Sequence, residues 1–380
     1  MIFSIISCKI FIFVLFLSFN HSFQKNFILH YQNINGKFEI KSYVGTPPKN
    51  IVFVIDLISS FTWLSPPNFD PKKSNCEIFS KESSFELNNK KRNGQIIVDY
   101  FSDNNTNKLF QLYFFYIDKH LIGESNTLSL RYYYEDHRMS IVSQMKKSGL
   151  IDKEIFTFIP SKNEEGDLHF GVVPSEKINN LTKIEFTIPP KTYEWEIPLT
   201  GVWIGDSMYI NFETAYFNTI NSEILVPKQF MNFLKKHYID KLVKNKICYQ
   251  GQDDYYLCEC DKIDIEPKFY FSFERKKVFI KNKIIFSNHR PICSLRIREN
   301  HYSQYWEIGT SFLQEIITSF NYENSTITMY IDSLKFNDDI VGIGTIKKRL
   351  YLLLGVLLIF FVLILIKTRN LYKNGNLPLM

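Results

Sequence analysis

Two segments of this chain repeat the same residue types at the same spacing. They are Ile55-Asp56-Leu57-Ile58-Ser59-Ser60-Phe61-Thr62-Trp63-Leu64 and Phe217-Asn218-Thr219-Ile220-Asn221-Ser222-Glu223-Ile224-Leu225-Val226. Aligned without a gap, Asp56 falls on Asn218, Ile58 on Ile220 and Ser60 on Ser222, while Trp63-Leu64 falls on Leu225-Val226. Such a repeat indicates two halves that each supply one group to a shared site. A carboxylate can serve as a base, whereas an amide neither takes up nor releases a proton in the working range. Asp56 is therefore paired with a residue that can only hydrogen-bond, and Asn218 could donate to it. Ser59, Ser60 and Ser222 would need a positioned base to act as nucleophiles. No motif places a His beside them, so they read as turn residues.

The elements that must hold these loops are mostly strands. Short aromatic and β-branched runs recur between turn residues: Ile96–Val98, Leu112–Tyr116, Phe269–Phe273 and Ile327–Tyr330. Helical patterns are few; Ser140–Ser148 and Pro227–Lys241 are the candidates, with Pro227 placed to open the second. Arg275–Lys283 reads as a charged hairpin edge exposed to solvent. Ile188-Pro189-Pro190-Lys191 reads as the link between two lobes of ordinary domain size.

Both termini are apolar. Residues 1–22 have the character of a secretory signal, although Lys9 interrupts the approach to Ile10–Leu17. Residues 350–366 form an apolar run near the lower length limit for a transmembrane helix. Basic residues flank both of its ends, so charge cannot orient it; the signal implies a lumenal or extracellular body and a cytosolic tail, 367–380. This predicts a single-pass type I protein of the secretory pathway or cell surface. Asn104, Asn180 and Asn324 head glycosylation sequons that agree with that topology. The net charge of +6 over 380 residues is small and dispersed, which argues against a nucleic-acid partner. With Cys8 inside the leader, five cysteines remain, an odd number for an oxidising compartment. Cys248, Cys258 and Cys260 lack a nearby His or fourth Cys at zinc-ligand spacing, so no metal is expected; nor is any other cofactor.

The ordered motifs resemble those of the pepsin-like aspartic proteases. Tyr43-Val44-Gly45-Thr46-Pro47-Pro48-Lys49 is similar to that family's lead-in to its first catalytic loop, and Asp56–Leu64 stands where the family has D-T-G-S-S and a following Trp. Phe79–Phe85, Gly149–Asp152, Phe156–Phe158 and Gly166–Gly171 resemble later first-lobe segments. Trp195 through Trp203-Ile204-Gly205 leads to the second motif at Asn218, and Trp306–Leu313 resembles a late W-x-L-G-x-x-F-L segment. The resemblance covers roughly residues 27–333. It implies an all-β, bilobal double barrel with few short helices, to which the apolar run adds one C-terminal transmembrane helix. The lobes would be 27–190 and 191–335. It also implies a Cys260–Cys293 disulfide. Cys248 and Cys258 could then form a local bridge and leave Cys76 odd, with swapped pairings open because Cys260 is so near.

In that family two facing carboxylates share one proton, and one activates a water while the other polarises the scissile carbonyl. The resemblance places Asp56 and Asn218 at the two positions. Leu57 replaces a Thr of the first motif, Thr219 is retained in the second, and Ile58 and Ile220 stand where the family has glycines. Glycine-only backbone there would strain an Ile. Tyr100-Phe101-Ser102-Asp103 stands for the family's glycine-bearing flap; Tyr100 is either a flap residue or a strand aromatic. Thr127-Leu128-Ser129-Leu130-Arg131 replaces a glycine-containing segment whose second-lobe partner, Ile308-Gly309, keeps its glycine. These departures predict a pseudoprotease, anchored in a membrane, that binds peptide or protein in the interlobe cleft. The alternatives are an active membrane-anchored aspartic-type endopeptidase, and a structural or adhesive surface protein. If Phe101, Ile58 and Ile220 filled the cleft, peptide binding would be disfavoured.

Overall fold

A computed structural model describes residues 25–337 apart from 88–89, 103–108, 118–124, 133–139, 252–254, 264–267, 274–275, 288–290 and 333–335. The signal at 1–22, Asn104, the apolar run 350–366 and the tail 367–380 lie outside the described residues. Among those described, no helix is long and apolar enough to cross a membrane.

Period-two burial builds the sheets. In Phe27–Ile34 the side chains of Phe27, Leu29 and Tyr31 turn inward; in Lys37–Val44, Phe38, Ile40 and Val44 do so. Lys49–Asp56 ends instead in a continuous buried run, Phe53 to Asp56, because its last residues are covered on both faces. That strand pairs parallel with Asn126–Ser129, setting Asp56 against Ser129. The second half repeats the device: Ser207–Phe217 pairs parallel with Trp306–Ile308, setting Phe217 against Ile308. Each motif loop thus leaves a strand braced by a short parallel neighbour.

Among the described residues the strands form a 13-stranded, an 8-stranded and a 3-stranded sheet. The largest joins the two halves of the chain. Ile317–Asn321 pairs with Ile155–Pro160, and Thr326–Asp332 pairs with Leu181–Thr187. Trp195 is fully buried where the halves meet, with ring centroids 5.5 Å from Phe156, 5.0 Å from Phe320 and 4.9 Å from Tyr322. Its indole N–H donates to the Leu130 carbonyl at 2.7 Å.

All four expected strand runs lie in strands: Lys90–Ser102, Leu109–Tyr116, Phe269–Phe273 and Thr326–Asp332. Ser140 caps the helix Ile141–Lys147 through its hydroxyl, which accepts from the Ser143 N–H at 3.1 Å. The second helix differs from expectation. Pro227 is its N-cap residue rather than its first helical one, and a π-helical stretch, Lys235–Ile239, separates Lys228–Leu234 from Asp240–Lys244. The wider turn lets the consecutive Tyr238 and Ile239 both be buried. In the charged hairpin, Val278 and Ile280 of Lys276–Ile280 are fully buried; the outer edge of that strand is covered by the short Phe336–Asn337. The 3-stranded sheet carries Cys248–Cys258, and Cys260 is bridged to Cys293. Cys76 is the free cysteine among the described residues, half-buried.

Candidate active site

The two repeated loops meet at the junction of the lobes. Asp56 and Asn218 are almost closed to solvent, 5% and 6% exposed. On the first loop, one carboxylate oxygen of Asp56 accepts the N–H of Ile58 at 2.7 Å and of Ser59 at 3.1 Å. The other accepts the Ser59 hydroxyl. Ser60 accepts from the Arg131 guanidinium at 2.8 Å. Ser59 and Ser60 are therefore hydrogen-bonded parts of the loop, in keeping with the turn reading.

On the second loop, the Asn218 side-chain carbonyl accepts the Ile220 N–H at 3.0 Å, the counterpart of the Asp56–Ile58 bond. That contact sets the amide's orientation. Its NH₂ donates to a Glu307 carboxylate oxygen at 3.0 Å. No hydrogen bond joins Asn218 to Asp56 among the described residues, so the contact open to Asn218 from sequence is made to Glu307 instead. Glu307 also accepts from the Asn300 amide at 3.1 Å and is hydrogen-bonded to Tyr216, whose phenol burial and that contact push up.

One hydroxyl ties the two motif loops to each other across the lobes. Thr219 Oγ1 donates to the Ile55 carbonyl at 2.8 Å and accepts the Leu57 N–H at 3.2 Å. Leu57 is fully buried and has no hydroxyl with which to reciprocate. Thr219→Val keeps the shape but removes both bonds, leaving a buried N–H and C=O. It is expected to lower stability by about 1–3 kcal/mol, read from the denaturant midpoint, with Thr219→Ser recovering most of the loss. An unchanged Thr219→Val variant would contradict this cross-lobe tie.

Ile58 and Ile220 overturn the expectation of backbone strain. Neither adopts a positive φ, so both loops take backbone that a β-branched residue can hold. What the isoleucines change is volume. Ile58 is half-buried and Ile220 exposed. Phe101 is fully buried in the first-lobe core against Phe53 and Phe110, so it does not fill the cleft. Tyr100 precedes it on Lys90–Ser102, exposed, its carbonyl accepting the Gly45 N–H at 2.9 Å.

The segments bracing the loops have diverged. A Cβ on Gly309 would lie 2.3 Å from the Glu223 carbonyl oxygen and 2.6 Å from that of Asn221, so glycine is required there. Ser129 carries a Cβ and donates its hydroxyl to the Ser59 carbonyl. The Arg131 guanidinium bridges Ser60 to the Tyr193 carbonyl, 2.9 Å away. Partial burial pushes the neighbouring Glu194 carboxyl up; Arg131 draws it back and Glu307 adds to the rise.

A family model for eukaryotic aspartyl proteases matches residues 127–330. The chain belongs to the eukaryotic aspartyl protease family. It is similar to the aspartic protease Bla g 2 of Blattella germanica, 25% identical over 180 residues that make up 46% of this chain and 49% of that protein. The match thus spans about half the length of the relative. The fold is similar to that of the aspartic proteinase from Irpex lacteus, with a TM-score of 0.65 over 82% of this chain and 98% of that one, at 14% identity.

Within this family's fold, the structure brings the loops of Asp56, Leu57 and Ile58 and of Asn218, Thr219 and Ile220 together, and Tyr100 lies exposed on the strand Lys90–Ser102. Asn180 and Asn324 are exposed in turns. Sequence reasoning missed Glu307, Tyr216 and Asn300. Strand alternation carried part of the signal, because Asn218 directly follows the strand Ser207–Phe217 and lies two residues beyond its Tyr216. All three cysteines of the zinc reading are in disulfides.

Proposed function

We propose that this chain is a catalytically impaired pepsin-like protein, held by a C-terminal membrane anchor with its body in the secretory lumen, that binds an extended peptide or protein segment between its lobes. The observation that carries the reading is the amide of Asn218, fastened on one side to Ile220 and on the other to Glu307. A shared-proton mechanism needs two titratable groups around one water. Asn218 offers none, and its NH₂ is engaged with Glu307. Loss of a principal catalytic group in other hydrolases lowers turnover by about 10⁴–10⁶-fold.

Binding is supported by the same loops. The exposed Ile220, with the half-buried Ile58 in the first loop, leaves apolar surface at the lobe junction, and Phe101 is buried in the first-lobe core. Strand addition by an extended peptide would use backbone hydrogen bonds and need no acid–base chemistry. Anchoring is supported by the apolar run 350–366 and its basic flanks.

The test is capture of peptides by the full-length protein from a diverse library. We expect peptides to be retained at their intact mass. Ile220→Trp, which enlarges an exposed side chain at the junction, should weaken retention about tenfold or more. Retention of no peptide, or retention indifferent to Ile220, would reject the binding reading.

A further inference from the structure

The second-lobe sheet has an apolar surface on its outer face as well as its inner one. Along Glu196–Ile204, Ser207–Phe217, Phe269–Phe273 and Lys276–Ile280, the inner residues Val202, Ile204, Phe271 and Val278 are buried core. On the opposite face, register places Met208 beside Trp203, Trp203 beside Tyr270 and Tyr270 beside Phe279, one row across four strands. Ile210 and Phe212 continue that face along their strand, 61% and 84% exposed. The Lys277 ammonium lies over the Trp203 ring, 3.4 Å from its centroid, and 5.7 Å from that of Tyr270. An antiparallel sheet with one face in water ordinarily presents polar residues there.

The chain's course indicates what meets this face. Phe336–Asn337 pairs with the outer edge of the same sheet, with Asn337 opposite Lys277. Only residues 338–349 separate that edge from the apolar run beginning at Leu350. Fully extended, they would reach at most about 40 Å. Trp, Tyr and Phe with a Lys ammonium over the rings is a composition found at membrane–water interfaces. Lys347, Lys348 and Arg349 stand directly before the run, where basic side chains reach the headgroup level.

We propose that this face, led by Phe212 and Ile210, rests on the lipid–water interface of the membrane that holds the anchor. The proposal rests on the membrane-anchored reading above and adds an orientation to it: the second lobe lies against the bilayer, and its outer sheet is a contact surface for phospholipid.

The experiment uses the full chain, with Cys8 and Cys76 replaced by Ser, in vesicles of phosphatidylcholine containing a minor fraction of phosphatidylserine. An environment-sensitive fluorophore is attached at Phe212→Cys, at Ile210→Cys, or at Phe79→Cys, an exposed first-lobe site. Shallow spin-labelled lipids should quench the fluorophore at 212 and 210 about threefold or more over that at 79. Equal quenching at all three sites, in protein that resists alkaline extraction from the vesicles, would overturn the orientation and leave the anchor intact. Protein stripped by alkali would overturn the anchor and the orientation together. Energy transfer between fluorophores at 212 on different chains, without lipid quenching, would assign the face to a second copy and overturn the proposal.

Discussion

Asn218→Asp is expected to leave the protein without protease activity and to destabilise it near neutral pH by about 3 kcal/mol. The substitution restores a carboxylate to the second loop, but the NH₂ it replaces faces Glu307 at 3.0 Å. Two carboxylates at that distance cannot both be ionised cheaply. The folded variant would hold one proton between the pair that the unfolded chain releases, so folded protein binds more protons than unfolded. Stability therefore falls as pH rises and recovers in acid. Urea unfolding at acid and neutral pH would read the effect, and Asn218→Asp combined with Glu307→Gln should recover most of it. A single variant as stable as the parent at neutral pH would show that Asn218 and Glu307 do not meet. Turnover by that variant would show that neither the Glu307 contact nor the volume of Ile58 and Ile220 bars catalysis.

Trp195→Ala is expected to cost about 3–5 kcal/mol, the largest loss from any single substitution considered. The indole fills a node shared by both halves, packed on Phe156 from one and Phe320 and Tyr322 from the other. Its removal leaves a cavity and strips the Leu130 carbonyl of a donor held at 2.7 Å. Because Ile155–Pro160 and Ile317–Asn321 are paired strands, hydrogen-exchange protection should fall in both. A loss below about 1 kcal/mol, or one confined to a single half, would contradict the role assigned to this tryptophan.

Local pattern made much of the fold legible. The β-branched and aromatic runs Ile96–Val98 and Leu112–Tyr116 and the helix opening at Ser140 depend on neighbours in the chain, and they fold as read. The paired loops were visible because both halves keep the same turn chemistry, in which the residue at the motif position accepts the N–H two residues on. Other features depend on contacts distant in sequence. Glu307 reaches Asn218 only because Trp306–Ile308 runs beside Ser207–Phe217. Nothing local to Asn218 distinguishes a bond to Glu307 from one to Asp56. Likewise, an isoleucine in place of a glycine suggests strain, but the φ adopted is a property of the whole loop, and both loops avoid the left-handed region. The π-turn after Leu234 has the same kind of cause: two consecutive side chains, Tyr238 and Ile239, must both be buried.

The central claim is that one carboxylate at the lobe junction, with an amide opposite, does not hydrolyse peptide bonds. The most direct measurement is incubation of the purified full-length protein, and of its Asp56→Ala variant, with a diverse peptide library across acid to neutral pH, products being read by mass spectrometry. We expect no cleavage that distinguishes the two proteins at any pH. Cleavage by the parent that disappears in Asp56→Ala would contradict the claim and identify an active aspartic endopeptidase.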